Sequence, residues 1–319
     1  MNEHTVAVER SGPNDEVQTL RWNLESATGA GPGLGAPGDI RDQIRSSEAL
    51  PPLPEITRRL LELRADPDAN ALMLAEAVAL DPMLSAQLLR WANSPYYAPR
   101  SPVNTVRDAI VRALGFNLSF SLALGLAALS PLKTPNTGAL GRDRIWRHGM
   151  QCTTLMQALA REQPAELRPA SGQIELAGVT QNIGYLLLGH LLPEHFQLLA
   201  RFIQSNPGLA LPTIERFAIG VEHTQLGGWL FEAWEMPEAL QTVQRHHHNP
   251  AYRGEHESLV LLACLADQLL ETRGDGLGAR PSEPETQPEL LARLGLGAHA
   301  CEHALSALAN CEEEATKTD

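Results

Sequence analysis

The side chains able to do chemistry lie in the second half of the 319-residue chain. His148 stands in IWRHGM, and Gln181-Asn182 interrupt the apolar run IELAGVTQNIGYLLLGHLL. His223 follows GVE, three imidazoles adjoin in RHHHNP (Arg245 to Pro250), and Asp267 is embedded in LVLLACLADQLL. Imidazoles and a carboxylate are ligands for first-row dications. A bound dication can generate hydroxide from water for hydrolysis. Polar groups buried without partners cost about 1–3 kcal/mol each, so convergence on one interior site is an economical arrangement. Asp267 is the most suggestive position, because an unpaired buried carboxylate is expensive; an arginine would serve it as well as a metal.

Successive helical residues point about 100° apart, so at most two of His246, His247 and His248 can reach one ion. At a helix C-terminus the same run also interacts favourably with the macrodipole. Cys152 lies one turn after His148 and within its reach, and reads as a buried thiol rather than a nucleophile. Ser94 and Ser119 have no spaced His-Asp partners.

The elements that must position these groups are helices. Period-2 patterns are nearly absent, and the chain is rich in alanine and leucine, with 5% aromatic residues, which favours helix packed on helix. Pro54 opens a helix with Ile56, Leu60, Leu61 and Leu63 on one face, and DPD stops it. A helix follows over 71–80. Asp81-Pro82 then cap and start MLSAQLLRWAN, and Thr105 caps VRDAIVRALG, with Gly115 as its stop. The run 116–129 is a buried helix, too short and serine-rich to span a bilayer.

PLKTPNTGALGRD then separates this bundle from a second unit. Its helices are expected at about 144–163, through IELAGVTQNIGYLLLGHLL, and at 193–205, 212–234, 237–247, 255–272, 289–294 and 298–314. Residues 1–44, polar and then glycine-rich, read as a flexible extension, with a weak helix signal near 17–24.

Apolar residues make up 43% and charged residues 20%, the balance of a globular chain. The net charge of −13 disfavours nucleic acid as a partner. The cysteines (Cys152, Cys264, Cys301, Cys311) form no CxxC pair. With no signal-peptide pattern and no spanning segment, the expected location is the cytoplasm, without membrane attachment.

LPPLPEITRRLLEL, LDPMLSAQLLRWANSPYYAPRSPVNTVRDAIVRALG, IWRHGM, GVEHTQLGGWLFEAWEMPEAL and HHHNP together resemble the HDOD domain, a helical bacterial signalling module related to the HD-domain phosphohydrolases. The resemblance covers about Ala49 to Ala251. It implies an all-α fold in which an N-terminal bundle (45–130) packs on an HD-like unit (142–251), followed by C-terminal helices and an acidic tail (252–319).

The HD superfamily binds divalent metals through a first histidine, a His-Asp doublet, further histidines and a late aspartate. By resemblance these fall on His148, Gln181-Asn182, His223, His247-His248 and, more loosely, Asp267. Both doublet positions are therefore amides, which offer weak neutral oxygens where an imidazole and a carboxylate are needed. The position needed to hold and activate a metal-bound water is Asn182. Amides can instead hydrogen-bond each other, His148 or Asp267 without a metal.

The resulting expectation is a non-catalytic scaffold or adaptor, with no cofactor and no competent hydrolytic centre, acting on a signalling protein partner and on a cyclic dinucleotide or other nucleotide as sensed ligand. The competing reading is a metal-dependent phosphohydrolase or phosphodiesterase; a residual metal would use His223, His247, His248 and Asp267. The groove between the two units is the default binding surface, with Trp91, Asn93, Tyr96, Tyr97 and Arg100 near it. The favoured reading of those residues is that the aromatics pack the joint and Asn93-Ser94 shape the turn.

Overall fold

The computed structural model describes residues 50–93, 101–136, 138–278 and 287–316. The N-terminal extension, its helix signal near 17–24, and Ser94, Tyr96, Tyr97 and Arg100 lie outside the described residues. Among the described residues the regular elements are helices, with no strand.

The first bundle comprises α1 (Glu55–Ala65), α2 (Ala71–Ala79), α3 (Pro82–Ala92), α4 (Val106–Asp108) and α5 (Phe116–Leu129). Their starts follow local chemistry. The Asn70 carboxamide accepts from the Leu72 and Met73 amides at 3.0 and 3.2 Å. The Asp81 carboxylate accepts from the amides of Met83 and Leu84 at 2.9 and 3.0 Å, and Thr105 Oγ1 accepts from the Asp108 amide at 3.0 Å. Each satisfies backbone donors that the first helical turn leaves unpaired. The expected helix 106–114 becomes π-helical over Ala109–Leu114 and ends at Gly115, whose φ is 79°. The wider turn brings Ala109, Ile110 and Leu114 into the core together.

The second unit contains α6 (Arg142–Glu162), α7 (Ser171–Thr180), α8 (Ile183–Leu191), α9 (Pro193–Ser205), α10 (Leu211–Ala218), α11 (His223–Ala233) and α12 (Glu238–His246). Then come α13 (Glu257–Arg273), α14 (Gln287–Arg293) and α15 (Ala300–Thr316). Two elements expected as single helices are each broken. The run through IELAGVTQNIGYLLLGHLL stops at Thr180 and restarts at Ile183, so Gln181-Asn182 sit in a turn and not within a helix. The bend lets α8 lie against the start of α11, where a Cβ on Gly184 would come within 1.9 Å of the His223 carbonyl oxygen. The helix expected over 212–234 breaks at Gly220, whose φ of 73° suits glycine. Glu222 and Gln225 then form a capping box that restarts the chain with His223 at the first helical position.

The two units share one core. Helix α5 packs on α7, the Ser121 hydroxyl donates to the Gly172 carbonyl at 2.8 Å, and the Trp234 indole donates to Pro51 O at 2.9 Å. The segment after residue 251 continues the same packing. Helices α13 and α15 both lie on α6, and Gln151 donates to Glu312 at 2.9 Å. A boundary at 251 therefore divides the sequence but not the core.

Candidate functional site

Five helix ends and faces converge around the predicted residues. His148 comes from α6, the Gln181-Asn182 turn joins α7 to α8, His223 opens α11, His247-His248 follow α12, and Asp267 comes from α13. His148, Gln181, Asn182, His223, His247 and Asp267 are all buried, and His248 is partly so.

The hydrogen bonds divide the site into two halves. In the first, the Asn182 amide donates from Nδ2 to His148 Nδ1 at 3.2 Å. That places the His148 proton on Nε2, which lies 3.1 Å from Asp267 Oδ1. The other Asp267 oxygen lies 3.2 Å from His248 Nδ1. Burial alone would raise the Asp267 pKa, but His248 and His148 outweigh it and hold the carboxyl well below its usual range. Gln181 donates to Cys152 Sγ at 2.9 Å, and that sulfur lies 3.6 Å from His148 Nδ1. Burial, reinforced by Asp267, raises the Cys152 thiol well above its ordinary pKa, so it is not a thiolate ligand. The doublet side of the site is thus filled by amide, thiol, imidazole and carboxylate bonded to one another. These residues do not fit a catalytic metal: the two central positions supply no imidazole nitrogen and no carboxylate, and both His148 nitrogens are engaged.

The second half differs. His223 Nε2 lies 3.2 Å from His247 Nε2 and 3.2 Å from His248 Nε2. The opposite nitrogen of each ring faces an acceptor. His223 Nδ1 lies 2.8 Å from Glu215 Oε1, His247 Nδ1 lies 3.0 Å from the Val243 carbonyl, and His248 Nδ1 faces Asp267. Metal-ligating histidines are oriented in this manner, with the non-ligating N–H held by a carboxylate or carbonyl. This half fits a single dication. Asp267, expected as a fourth ligand to a residual metal, instead lies between His148 and His248.

His246 is the third imidazole of RHHHNP and points elsewhere, stacking on Tyr252 at 4.6 Å. The turn after it is clamped by Arg293, which donates to the Pro250 carbonyl at 2.6 Å and to Glu257 at 3.0 Å.

Sequence reasoning missed Glu215 and Tyr185. Glu215 is fully buried and accepts the Tyr185 hydroxyl, the His223 ring and, at 2.9 Å, the His223 backbone amide. Tyr185 also stacks on His223 with centroids 4.2 Å apart. Burial would raise the Glu215 pKa, but the His223 charge and the hydrogen bonds from His223 and Tyr185 prevail and lower it. A signal was present, since Glu215 falls on the Leu211, Ile214, Ala218 stripe of α10, where a lone acid must have a partner.

At the joint between the units, Trp91 is buried edge-on against Trp146, with centroids 6.3 Å apart. Asn93 donates to the Leu89 and Val103 carbonyls at 2.9 and 2.8 Å and accepts from the Val103 amide at 2.8 Å. Both side chains are thereby used in packing and in tying the end of α3 to the strand of loop before α4.

A profile of the HDOD domain matches residues 50–250. A Marinobacter aquaeolei VT8 protein classed under signal transduction is 33% identical with a TM-score of 0.75, covering 97% of this chain and 66% of its own. An HDOD domain protein of Geobacter sulfurreducens is 20% identical with a TM-score of 0.69, over 88% of this chain and 98% of its own. An uncharacterized protein of Treponema pallidum (strain Nichols) is 22% identical over 222 residues, 68% of this chain. The chain spans 42% of the length of that curated relative. No helix among the described residues is long and apolar enough to cross a membrane. With a family profile running from α1 to the end of the RHHHNP turn, the chain belongs to the HDOD domain family.

Proposed function

We propose that this HDOD chain is a non-catalytic signalling adaptor that acts through a protein partner. The observation that carries this reading is the bond from Asn182 Nδ2 to His148 Nδ1. It occupies a nitrogen of the first histidine with the amide standing where the superfamily has its central aspartate. Hydrolysis by a metal-bound hydroxide needs an ion held and oriented beside an open coordination position. Here the corresponding side chains are bonded to one another, with the buried Gln181 carboxamide oxygen left without a partner, and this supports signalling without hydrolysis. The resemblance to a signal transduction protein of Marinobacter aquaeolei supports the same reading. Its place of action is proposed as the cytoplasm.

Nucleotide sensing at His148, Gln181 and Asn182 is less favoured than a protein partner, because all three are buried and already bonded. A ligand would have to open that network.

The test is turnover. The untagged chain is incubated with manganese or iron and with phosphomonoester, phosphodiester and cyclic dinucleotide substrates. No hydrolysis above the metal-only background is expected. Turnover that disappears in Asn182→Ala would overturn the adaptor reading.

A further inference from the structure

We propose that the outward face of α2 and the first turn of α3 form a docking face for an amphipathic helix made by residues 15–26 of the chain's own N-terminal extension. The proposal goes beyond the adaptor reading and does not depend on it.

The face is apolar where the outside of a helix is ordinarily polar. Leu72, Glu76, Ala79 and Leu80 follow one another at helical spacing on the exposed side of α2, with Leu72 51% and Leu80 62% exposed. Leu80 keeps right-handed helical geometry as the C-cap, so the stripe runs to the corner between the two helices. There the Ser85 hydroxyl donates to the Val78 carbonyl at 3.0 Å and ties α3 to the last turn of α2. Met83, 66% exposed, extends the stripe from that corner. Val111, 62% exposed, stands on the π-helical turn that packs beside α2. Single exposed leucines are ordinary, whereas a run of apolar side chains marks a contact surface.

Pattern, charge and reach identify the occupant. Val17, Leu20 and Leu24 fall on one face of a helix. Asp15 and Glu16 stand at its start, where the macrodipole favours acids, and Asp15 and Gln18 have the spacing of a capping box. A helix this short is marginal in water until its apolar face is packed. Arg21 borders that face, and Glu76 is the acid within the α2 stripe. The extension joins the described fold at Leu50, just before α1, and α1 packs on α2, so it leaves the fold one helix away from the stripe. Residues 25–49 are glycine-rich. A tether of that length spans about 25–30 Å r.m.s., against a helix diameter of about 10–12 Å. The tether makes the encounter intramolecular, at an effective concentration on the order of millimolar, so a small apolar face suffices. Other segments are placed elsewhere. Residues 94–100 start at the opposite end of α3 from Met83, where Asn93 donates to the Val103 carbonyl at 2.8 Å, and residues 279–286 join α13 to α14 in the second unit.

The experiment is hydroxyl-radical footprinting and hydrogen exchange of the full-length untagged chain, read by mass spectrometry at Met83 and over residues 15–26. Slow exchange over 15–26 and protection of Met83 are expected in the wild type. Leu20→Asp/Leu24→Asp should abolish both. Leu72→Asp/Leu80→Asp should abolish the slow exchange, and Thr19→Asp, on the opposite side of the segment, should leave both in place. Arg21→Glu should raise Met83 oxidation about two- to fivefold, the scale of an exposed ion pair, and adding Glu76→Lys to Arg21→Glu should restore protection. All these positions lie outside the core, and circular dichroism checks the fold of each variant. Exchange over 15–26 at the rate of an unstructured peptide in the wild type would overturn the proposal. Met83 oxidation equal in the wild type and Leu20→Asp/Leu24→Asp would do the same, by showing an open face or a different occupant. Protection that disappears on dilution would also overturn it, and would assign the face to a second copy of the chain.

Discussion

Asn182 and His148 are joined by a bond of 3.2 Å from the amide nitrogen to Nδ1. Through it the tautomer of His148 is set, Nε2–H is aimed at Asp267, and a buried carboxylate is satisfied by two imidazoles. A change at residue 182 therefore alters three buried groups at once.

Asn182→Asp should destabilise the metal-free protein. The new carboxylate would lie in the same buried network as Asp267, where like charges are costly, and the donor to His148 Nδ1 would be gone. A loss of about 1–3 kcal/mol in urea denaturation is expected. Part of it should be recovered when a divalent ion is added, because a carboxylate restores a ligand. An unchanged denaturation midpoint would show that the Asn182–His148 bond contributes nothing.

The Glu215 cluster should be the most sensitive polar site in the fold. Glu215→Ala removes a buried acceptor from Tyr185, from the His223 ring and from the His223 amide, and breaking such a buried pair costs about 3–5 kcal/mol. Tyr185→Phe removes one donor and should cost about 1–2 kcal/mol. Thermal melts of the two variants check the ranking. Tyr185→Phe as damaging as Glu215→Ala would mean that the tyrosine, and not the carboxylate, organises the cluster.

Most helix starts were legible because their causes are local. Asp81, Asn70 and Thr105 cap their own helices, and the sequence shows each one beside the apolar run it serves. The break at Gln181-Asn182 was not legible, since the apolar pattern continues across it. Its cause is distant in sequence: α8 must press Gly184 against the His223 carbonyl. The candidate ligands could be listed from the sequence, but their division into two halves could not. It depends on which ring nitrogen each acceptor holds, and on Glu215, a residue that sequence spacing alone did not tie to His223.

Acid should weaken the fold in two stages. Burial, with help from the neighbouring His248 and His223, pushes His247 well below its ordinary pKa. The unfolded chain then takes up a proton first as pH falls below about 6.5, and stability drops. Asp267 and Glu215 are both lowered. The stability they contribute is present above about pH 4 and is lost as pH falls through their folded values. His248 acts in the opposite sense. Burial would lower it, but Asp267 prevails and raises it, so its contribution is full below about pH 6.5 and fades as pH rises through its folded value. Denaturation midpoints of the metal-free chain from pH 8 to 4 read this directly. His247→Gln should flatten the limb between about pH 6.5 and 5, and an unaltered limb would assign that loss to other groups.

The most direct measurement is metal stoichiometry by mass spectrometry of the untagged chain, purified without chelator, beside the double variant Gln181→His/Asn182→Asp. The account predicts no more than one ion per wild-type chain and one more in the double variant, whose restored imidazole and carboxylate complete the first half of the site. Two ions in the wild type would contradict the claim that the amide doublet closes that half to metal.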